Sequence, residues 1–403
     1  MILICGAGIL GLSVAKFLLK EGAEYIVIVE KEGNIGLHAS GRNSGVLHAG
    51  IYYTPDSLKA KLCLKGNFLM KEFCKEKGIP VYETGKVIVA KREEELKTLY
   101  ELYSRAKRNG TKIELIDEKE LKEIEPYART VEKALWSPLT AVVDSKEVLK
   151  KLEEELVASK KVRILKNTVF KGIKGNSEAV TSNGNIKFEL FINCGGAFAD
   201  RIAHMFGIGL NYKIIPFKGT YKKLKKEKSF LVRGNIYPVP DIRNPFLGVH
   251  FTRSHDGTVY IGPTAIPAFG RENYGLLKGI SREALDVLFR DVILFLKNEK
   301  FRQVAVTEPR KYLKYLFFKD IKDMIKGLEI TDVIPSNKVG IRPQLVDWNK
   351  KELVMDFLVI KDSDSIHILN AISPAFTSSF AFARYIIENY IKGGKDALHF
   401  QKT

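Results

Sequence analysis

The chain has 403 residues and a formal net charge of +18, with 65 lysines and arginines against 47 acids. Its 45% hydrophobic and 28% charged content is that of a soluble globular protein and excludes a disordered chain, while its length allows two domains with a sizeable core. No apolar run approaches the roughly 18 residues of a membrane-spanning helix.

The most telling stretch comes first. Ile2-Leu3-Ile4-Cys5 is an apolar run, Gly6-Ala7-Gly8-Ile9-Leu10-Gly11 a glycine fingerprint, and residues 12–20 an amphipathic run. A second strand over 25–29 ends in Glu30. This order predicts strand, tight turn, helix, strand and acid, the layout of an adenine dinucleotide site. Gly6 permits the turn, Gly8 lets backbone approach a pyrophosphate, and Gly11 lets the helix pack on the strand. The helix N-terminus offers N–H groups and a positive dipole end to phosphates, and Glu30 accepts from ribose hydroxyls. Because Met1 leads directly into a core strand, no signal peptide is expected, and a cytoplasmic protein is.

Next comes the turn-rich loop Ala39-Ser40-Gly41-Arg42-Asn43-Ser44-Gly45, then a predicted helix over 58–77. Pro80 breaks the pattern, residues 86–90 read as a strand, and charged helical segments fill 93–124 up to Pro126. A helix over 145–158 leads into a strand over 162–165. A β-meander over 169–181 turns at Ser182-Asn183-Gly184-Asn185. The apolar strand 188–193 stops at Cys194-Gly195-Gly196-Ala197, with a helix over 200–206 directly after it, a second junction suited to wall a nucleotide pocket.

From residue 213 the texture changes to alternating runs, such as 248–253 and 258–262, that predict an antiparallel sheet. Helices over 281–296 and 310–326 follow. The tail returns to nucleotide-domain texture with a strand over 366–370 and a helix over 377–390. The predicted architecture is α/β: a dinucleotide domain in three pieces (1–80, 140–212, 340–395), a substrate domain inserted twice (81–139, 213–339), and a tail (396–403).

The four cysteines, Cys5, Cys63, Cys74 and Cys194, form no C-x-x-C pair, so no disulfide, redox dithiol or metal site is expected. The densest lysine cluster spans Lys218 to Lys228 and reads as a solvated face or a contact with an anionic membrane. No nucleic-acid motif accompanies the charge, so no nucleic-acid partner is expected.

Laid out this way, the chain resembles the D-amino-acid-oxidase-like family of FAD-dependent oxidoreductases, and within it the L-2-hydroxyglutarate oxidase/dehydrogenase branch. The resemblance covers nearly the whole length. It rests on the glycine fingerprint; on Gly41-Arg42-Asn43-Ser44-Gly45-Val46-Leu47-His48-Ala49-Gly50-Ile51-Tyr52-Tyr53; and on Ser57-Leu58-Lys59-Ala60. Further carriers are Asn193-Cys194-Gly195-Gly196-Ala197, Pro216-Phe217-Lys218-Gly219, Tyr237-Pro238-Val239-Pro240 and the run from Pro245 to Arg253. The last are Gly340-Ile341-Arg342-Pro343-Gln344 and Ser373-Pro374-Ala375-Phe376-Thr377. One position departs: Arg42 stands where that branch often has histidine, arginine being usual in amine-oxidising relatives.

The resemblance implies a glutathione-reductase-type Rossmann domain with an antiparallel-sheet α+β substrate domain, and non-covalent FAD. The implied cofactor residues are Gly6 to Gly11, Glu30, Lys31, Ser40, Arg42, Asn43, Ser44, Gly45, Val46, Val169, Cys194, Gly195, Gly196, Pro374, Ala375, Phe376 and Thr377. The implied reaction is oxidation of an L-2-hydroxy acid, foremost L-2-hydroxyglutarate to 2-oxoglutarate, by hydride transfer to flavin N5. The acceptor is then oxygen or a membrane quinone, with the protein cytoplasmic or peripheral on the inner face of a membrane. Arg342 is implied as the carboxylate clamp, a bidentate task suited to guanidinium, with Arg253 and Tyr53 also on the substrate. A hydroxy acid needs a base, and imidazole suits the role. Two histidines compete for it, His48 in the flavin loop and His250 in the substrate sheet; His38, His204, His255, His367 and His399 read as structural or solvent-facing. His250 and Arg253 lie three apart on a predicted strand, so both enter one pocket only if the strand bulges or ends. The alternative activity on this scaffold is an amine or D-amino-acid/glycine-type oxidase. A flavin-binding structural or tRNA-associated protein has only the net charge in its favour.

Overall fold

The computed structural model describes residues 1–241, 247–275 and 283–393. Pro245 and Phe246 of the run from Pro245 to Arg253, the start of the predicted helix at 281–282, the last residues 394–395 of the predicted dinucleotide domain, and the tail 396–403 lie outside the described residues.

Five strands run parallel in the order Ser365–Asn370, Leu190–Asn193, Ile2–Cys5, Ile26–Val29 and Val162–Leu165, and Leu358–Asp362 adds antiparallel to the first. Both faces of this sheet are covered, which is why its central strands Ile2–Cys5 and Ile26–Val29 are unbroken apolar runs. Ile2, Ile4, Ile26 and Ile28 point into a core shared with the helices Ile9–Lys20, Leu58–Glu76, Ser145–Ala158 and Ala375–Ile386. The alternate residues Leu3, Cys5, Val27 and Val29 meet Phe170, Phe188 and Phe191 on the other side, beside the three-stranded meander Phe170–Lys174, Glu178–Thr181 and Gly184–Lys187. Caps set the helix starts: the Ser57 hydroxyl accepts from Ala60 N–H (3.1 Å), and Asp144 accepts from Lys146 N–H (2.9 Å).

The second sheet has ten strands among the described residues and is antiparallel except where Asn235–Pro238 runs parallel to Lys86–Val89. Its order is Glu352–Leu353, Val333–Asp347, Tyr212–Leu224, Val259–Gly262, His250–Arg253, Asn235–Pro238, Lys86–Val89, Lys133–Ser137 and Glu114–Asp117, with Ile266–Pro267 on Tyr212–Leu224.

Four expectations change. The charged stretch 93–124 is two helices, Glu94–Arg108 and Glu118–Ile124, separated by the strand Glu114–Asp117. Gly110 at φ +72° ends the first, and a capping box from Asp117 to Glu120 starts the second. The stretch 310–326 is interrupted, its α-helix spanning Lys314–Ile321 between 3-10 turns. The predicted domain cut at 339/340 falls inside the strand Val333–Asp347, which pairs with Tyr212–Leu224 along most of its length. That second strand also carries Lys218, Lys222 and Lys223, so the lysine cluster is not an exposed loop. Lys218 is buried with its ammonium on Gly275 O (2.6 Å), Lys222 lies over the Phe317 ring, and Lys228 reaches Asp332 (3.5 Å). Alternation along a paired strand sends half of such lysines inward.

Candidate active site

A cavity of about 790 Å³ runs from the glycine turn to the second sheet. At its nucleotide end Gly6, at φ +105°, turns the chain from the first strand into the first helix, with Gly6 N–H donating to Val29 O (2.8 Å). A Cβ on Gly11 would lie 2.0 Å from Gly6 O, and one on Gly6 would lie 2.5 Å from Cys194 O. These two glycines close the turn upon itself. Gly8 differs: it lines the cavity, its φ is −75°, and the one atom its Cβ would crowd is the Ser40 hydroxyl at 3.0 Å. That hydroxyl accepts from Ile9 N–H (2.9 Å). One oxygen of Glu30 accepts from Ala7 N–H (2.9 Å) and the other from Glu32 N–H (3.0 Å), tying the acid to the turn.

Ile9, Leu10, Glu30, Lys31, Ser40, Arg42, Asn43, Ser44, Val46, Val169, Cys194, Gly195, Gly196 and Pro374 to Thr377 all line the cavity. Ala7, Gly11 and Gly45 do not; they shape its wall. Gly45, at φ +75°, has Val143 O 2.2 Å from its would-be Cβ, and Asn43 accepts from Gly45 N–H (2.8 Å) while donating to Ser40 O (2.6 Å). Arg42 donates to Leu37 O (2.6 Å) and Val339 O (3.4 Å), with its guanidinium over the Tyr274 ring. These contacts make Arg42 a brace between the flavin-type loop and the second sheet. Lys31 is paired with Glu32 and Glu272. His38, expected to be structural, stands beside that cluster with a ring nitrogen 2.7 Å from the Tyr274 hydroxyl. Glu32, His38 and Glu272 are close enough together to suit a cation, and the Lys31 ammonium fills that role. At the far side the helix Ala375–Ile386 points its N-terminus into the cavity; the Thr377 hydroxyl donates to Val46 O (3.2 Å) and accepts from His48 N–H (3.2 Å).

The other end is built by the second sheet. His250 pairs across from Gly262, and it stacks on Tyr237 with ring centroids 3.7 Å apart. Its Nδ1 lies 2.7 Å from Gly248 O. A carbonyl only accepts, so Nδ1 carries the proton and Nε2 is the basic nitrogen. Burial pushes the His250 pKa down to about 3 against the pull of the Gly248 carbonyl, and the charges of Arg342 and Lys86 add to the fall. His48 is held well below the ordinary histidine range by burial and then by Lys86, His250 and Arg342. Its Nδ1 is buried without a partner among the described residues. Arg342, Tyr53, His48 and His250 all line the cavity.

Arg253 does not. Its guanidinium donates to Ser229 O and Val232 O, both at 3.0 Å, on the other face of the sheet. The strand His250–Arg253 runs without a bulge, so residues three apart point oppositely, and the expected substrate role of Arg253 is corrected to a structural one. Sequence reasoning also passed over Lys86, Tyr237 and Tyr221. Tyr237 and Tyr221 line the cavity; Lys86, 1% exposed, is not among the lining residues and holds its ammonium 4.9 Å from the Tyr237 ring centroid. The one hint was a lysine opening an otherwise apolar strand.

The donor set fits a dinucleotide. An open helix N-terminus, a glycine whose Cβ would fill the cradle, and an acid at the end of the second strand stand together at one end. The model of the family described as FAD dependent oxidoreductase (DAO) matches residues 1–389. Among curated proteins, the chain is 38% identical over 413 aligned positions to the mitochondrial L-2-hydroxyglutarate dehydrogenase of Mus musculus, covering 95% of this chain and 86% of that protein. It is 38% identical to the L-2-hydroxyglutarate dehydrogenase of Indibacter alkaliphilus, covering 97% and 98%. Among solved structures, the FAD-bound L-alpha-glycerophosphate oxidase of Mycoplasma pneumoniae superposes with a TM-score of 0.75 at 23% identity, covering 96% of this chain and 94% of that one. The glycine oxidase of Geobacillus kaustophilus gives 0.70 at 19%, covering 96% and 93%. At these identities the two structures establish a shared fold.

Proposed function

The chain belongs to the FAD dependent oxidoreductase family, and on that premise we propose that it oxidises L-2-hydroxyglutarate to 2-oxoglutarate with FAD held non-covalently in the cavity. The observation that carries this reading is that Arg342 and His250, its Nδ1 held by Gly248 O, line the same cavity as the dinucleotide turn. The curated relatives, similar over nearly their whole length, bear the same substrate in their names.

Gly8, Ser40, Glu30 and the N-terminus of Ile9–Lys20 would hold the adenine dinucleotide, and the N-terminus of Ala375–Ile386 would face the ring system. FAD, when bound, supplies the hydride acceptor at N5. Arg342 pairs the substrate carboxylate with its planar fork, fixing the hydroxyl-bearing carbon in place. His250 takes the hydroxyl proton on Nε2. Gly248 O fixes its tautomer and Tyr237 fixes its ring plane, so that Nε2 is the nitrogen free to accept. The positive charges of Arg342 and Lys86 favour the alkoxide that forms as the proton leaves. His48 lacks an orienting partner on Nδ1, which favours His250 as the base.

Anaerobic mixing of the holoenzyme with L-2-hydroxyglutarate, its D-enantiomer and a set of amino acids tests the reading. Bleaching of the flavin band by the L-hydroxy acid is expected. Bleaching by amino acids alone would overturn it in favour of an amine oxidase.

The same reading includes a peripheral contact with an anionic bilayer, from which a membrane quinone would take the electrons. Lys218, Lys222 and Lys228 of the lysine cluster are committed to contacts within the protein, whereas the helix Ala284–Lys297 exposes Leu285, Leu288, Phe289, Val292 and Leu296 on one stripe. Leu285 is 79% and Leu296 65% exposed, and Lys297, Lys300 and Arg302 follow at the helix end. An apolar stripe edged by bases suits a helix lying in the interface. Among the described residues no helix is long and apolar enough to cross a membrane. Co-sedimentation with anionic vesicles should be strong for the native protein and weak for Leu288→Glu/Phe289→Glu; equal sedimentation would remove this contact.

A further inference from the structure

Lys86 begins the strand Lys86–Val89 and is 1% exposed. Among the described residues its ammonium makes no ion pair and no hydrogen bond. Its neighbours are two aromatic faces, Tyr52 with its ring centroid at 4.5 Å and Tyr237 at 4.9 Å. The register explains the second: Tyr237 pairs with Ile88, two residues on from Lys86 and therefore on the same face of the sheet. Tyr237 also stacks on His250. Both tyrosines line the cavity, and the charge of Lys86 acts on His48 and His250 alike, together with that of Arg342.

Glu308 acts on Arg342 from a distance, along with Tyr221 and Tyr237, and itself accepts from Ala265 N–H (2.6 Å) and pairs with Lys311. The group that favours the charge of Lys86 is the buried Cys63 thiol, itself held protonated by burial. Burial without an acid holds the Lys86 pKa down to about 7. The Tyr52 hydroxyl in the same wall is buried without a partner among the described residues. A buried ammonium against aromatic rings, with no acid paired to it among the described residues, is a costly arrangement, and an anion brought by the substrate relieves it.

We propose that Lys86, boxed by Tyr52 and Tyr237, binds the far carboxylate of the substrate while Arg342 binds the carboxylate beside the hydroxyl carbon, so that the site selects 2-hydroxy dicarboxylates over 2-hydroxy monocarboxylates. This rests on the L-2-hydroxyglutarate reading above and deepens it by assigning the residue that meets the second carboxylate. A neutral chain end would leave Lys86 uncompensated, whereas a second carboxylate completes two separate ion pairs. The unpaired Tyr52 hydroxyl then has an oxygen to donate to.

The test compares L-2-hydroxyglutarate with L-2-hydroxyvalerate, which has the same five-carbon chain without the far carboxylate. The quantity read is the ratio of kcat/KM for the two acids, in holoenzyme with a dye as electron acceptor. Lys86→Met should lower that ratio by about ten- to a hundredfold, the worth of one charge-assisted bond, through KM of the dicarboxylate. Lys86→Arg should restore part of the preference, because the charge returns. Met removes a buried unpaired charge and is expected to fold; flavin content and thermal melting check this, and Lys86→Gln reads the same ratio should Met lose flavin. Equal losses on both acids, or an unchanged ratio, would overturn the proposal. A native enzyme reduced by neither acid would instead overturn the substrate reading, so the two failures are distinct.

Discussion

The two glycines of the dinucleotide turn can be separated by experiment, because the structure gives them different neighbours. A Cβ on Gly11 would sit 2.0 Å from Gly6 O, which is backbone and cannot rotate away. Relief needs a shift of more than about an ångström between the first helix and the turn, an overpacking that costs about 1–3 kcal/mol. Gly8 is an ordinary extended residue at φ −75° and ψ 179°, and its Cβ would meet only the rotatable Ser40 hydroxyl at 3.0 Å. Gly8→Ala is therefore expected to leave the apoprotein as stable as the native chain, or slightly more so through a less flexible unfolded state. Its cost appears with FAD, since the methyl stands where the pyrophosphate approaches the helix N-terminus. Losing one charge-assisted contact there is worth about 1.5–3 kcal/mol, or roughly ten- to a hundredfold in Kd. Gly11→Ala should lower the melting temperature of flavin-stripped protein by a few degrees, on the order expected for this loss in a large domain. Thermal melting of apoprotein and titration with FAD by flavin fluorescence measure the two effects separately. Should Gly8→Ala melt as low as Gly11→Ala, or bind FAD like the native chain, the division of labour is wrong.

Arg342→Lys should raise KM for the hydroxy acid by about ten- to a hundredfold, since lysine lacks the planar fork; steady-state kinetics would show an unchanged KM if Arg342 were purely structural. Arg253→Ala should leave KM alone and lower the melting temperature instead, because its guanidinium serves Ser229 O and Val232 O on the opposite face. Binding of the dicarboxylate should depend on pH through Lys86. Its pKa is lowered from 10.5 to about 7, so the charged form prevails below that pH and is lost above it, and KM should climb by up to about tenfold per unit from pH 7 to 9. The Lys86→Arg enzyme should lack that rise, and a flat native profile to pH 9 would count against the role of Lys86.

What was legible in the sequence is what is decided within short stretches of chain. The turn from Gly6 to Gly11 demands glycine for reasons of backbone alone, and Glu30 ends the very next strand. The helix Ser145–Ala158 and the strand Val162–Leu165 fall where apolar period and the Asp144 cap put them. Loop residues such as Ser40, Asn43 and Thr377 came through a motif, and their hydrogen bonds show them shaping the cavity as well as lining it. The strand Val333–Asp347 was harder, since its pattern mixes lysine, proline and glycine with apolar residues and its stability comes from pairing with Tyr212–Leu224, more than a hundred residues away.

By itself, then, the sequence determined the dinucleotide half of the protein, because contiguous residues make that turn and its first helix whatever else the chain does. The tertiary structure decided the substrate half. Strand alternation put Arg253 outside and His250 inside, a choice that depends on which face of the sheet is covered. Parallel pairing of Lys86–Val89 with Asn235–Pro238 set Lys86 beside Tyr237, and antiparallel pairing on the next strand set Tyr237 against His250. Contacts between residues about 150 positions apart leave no period in the local sequence, since they are fixed by sheet register, and register is settled only when the whole sheet closes.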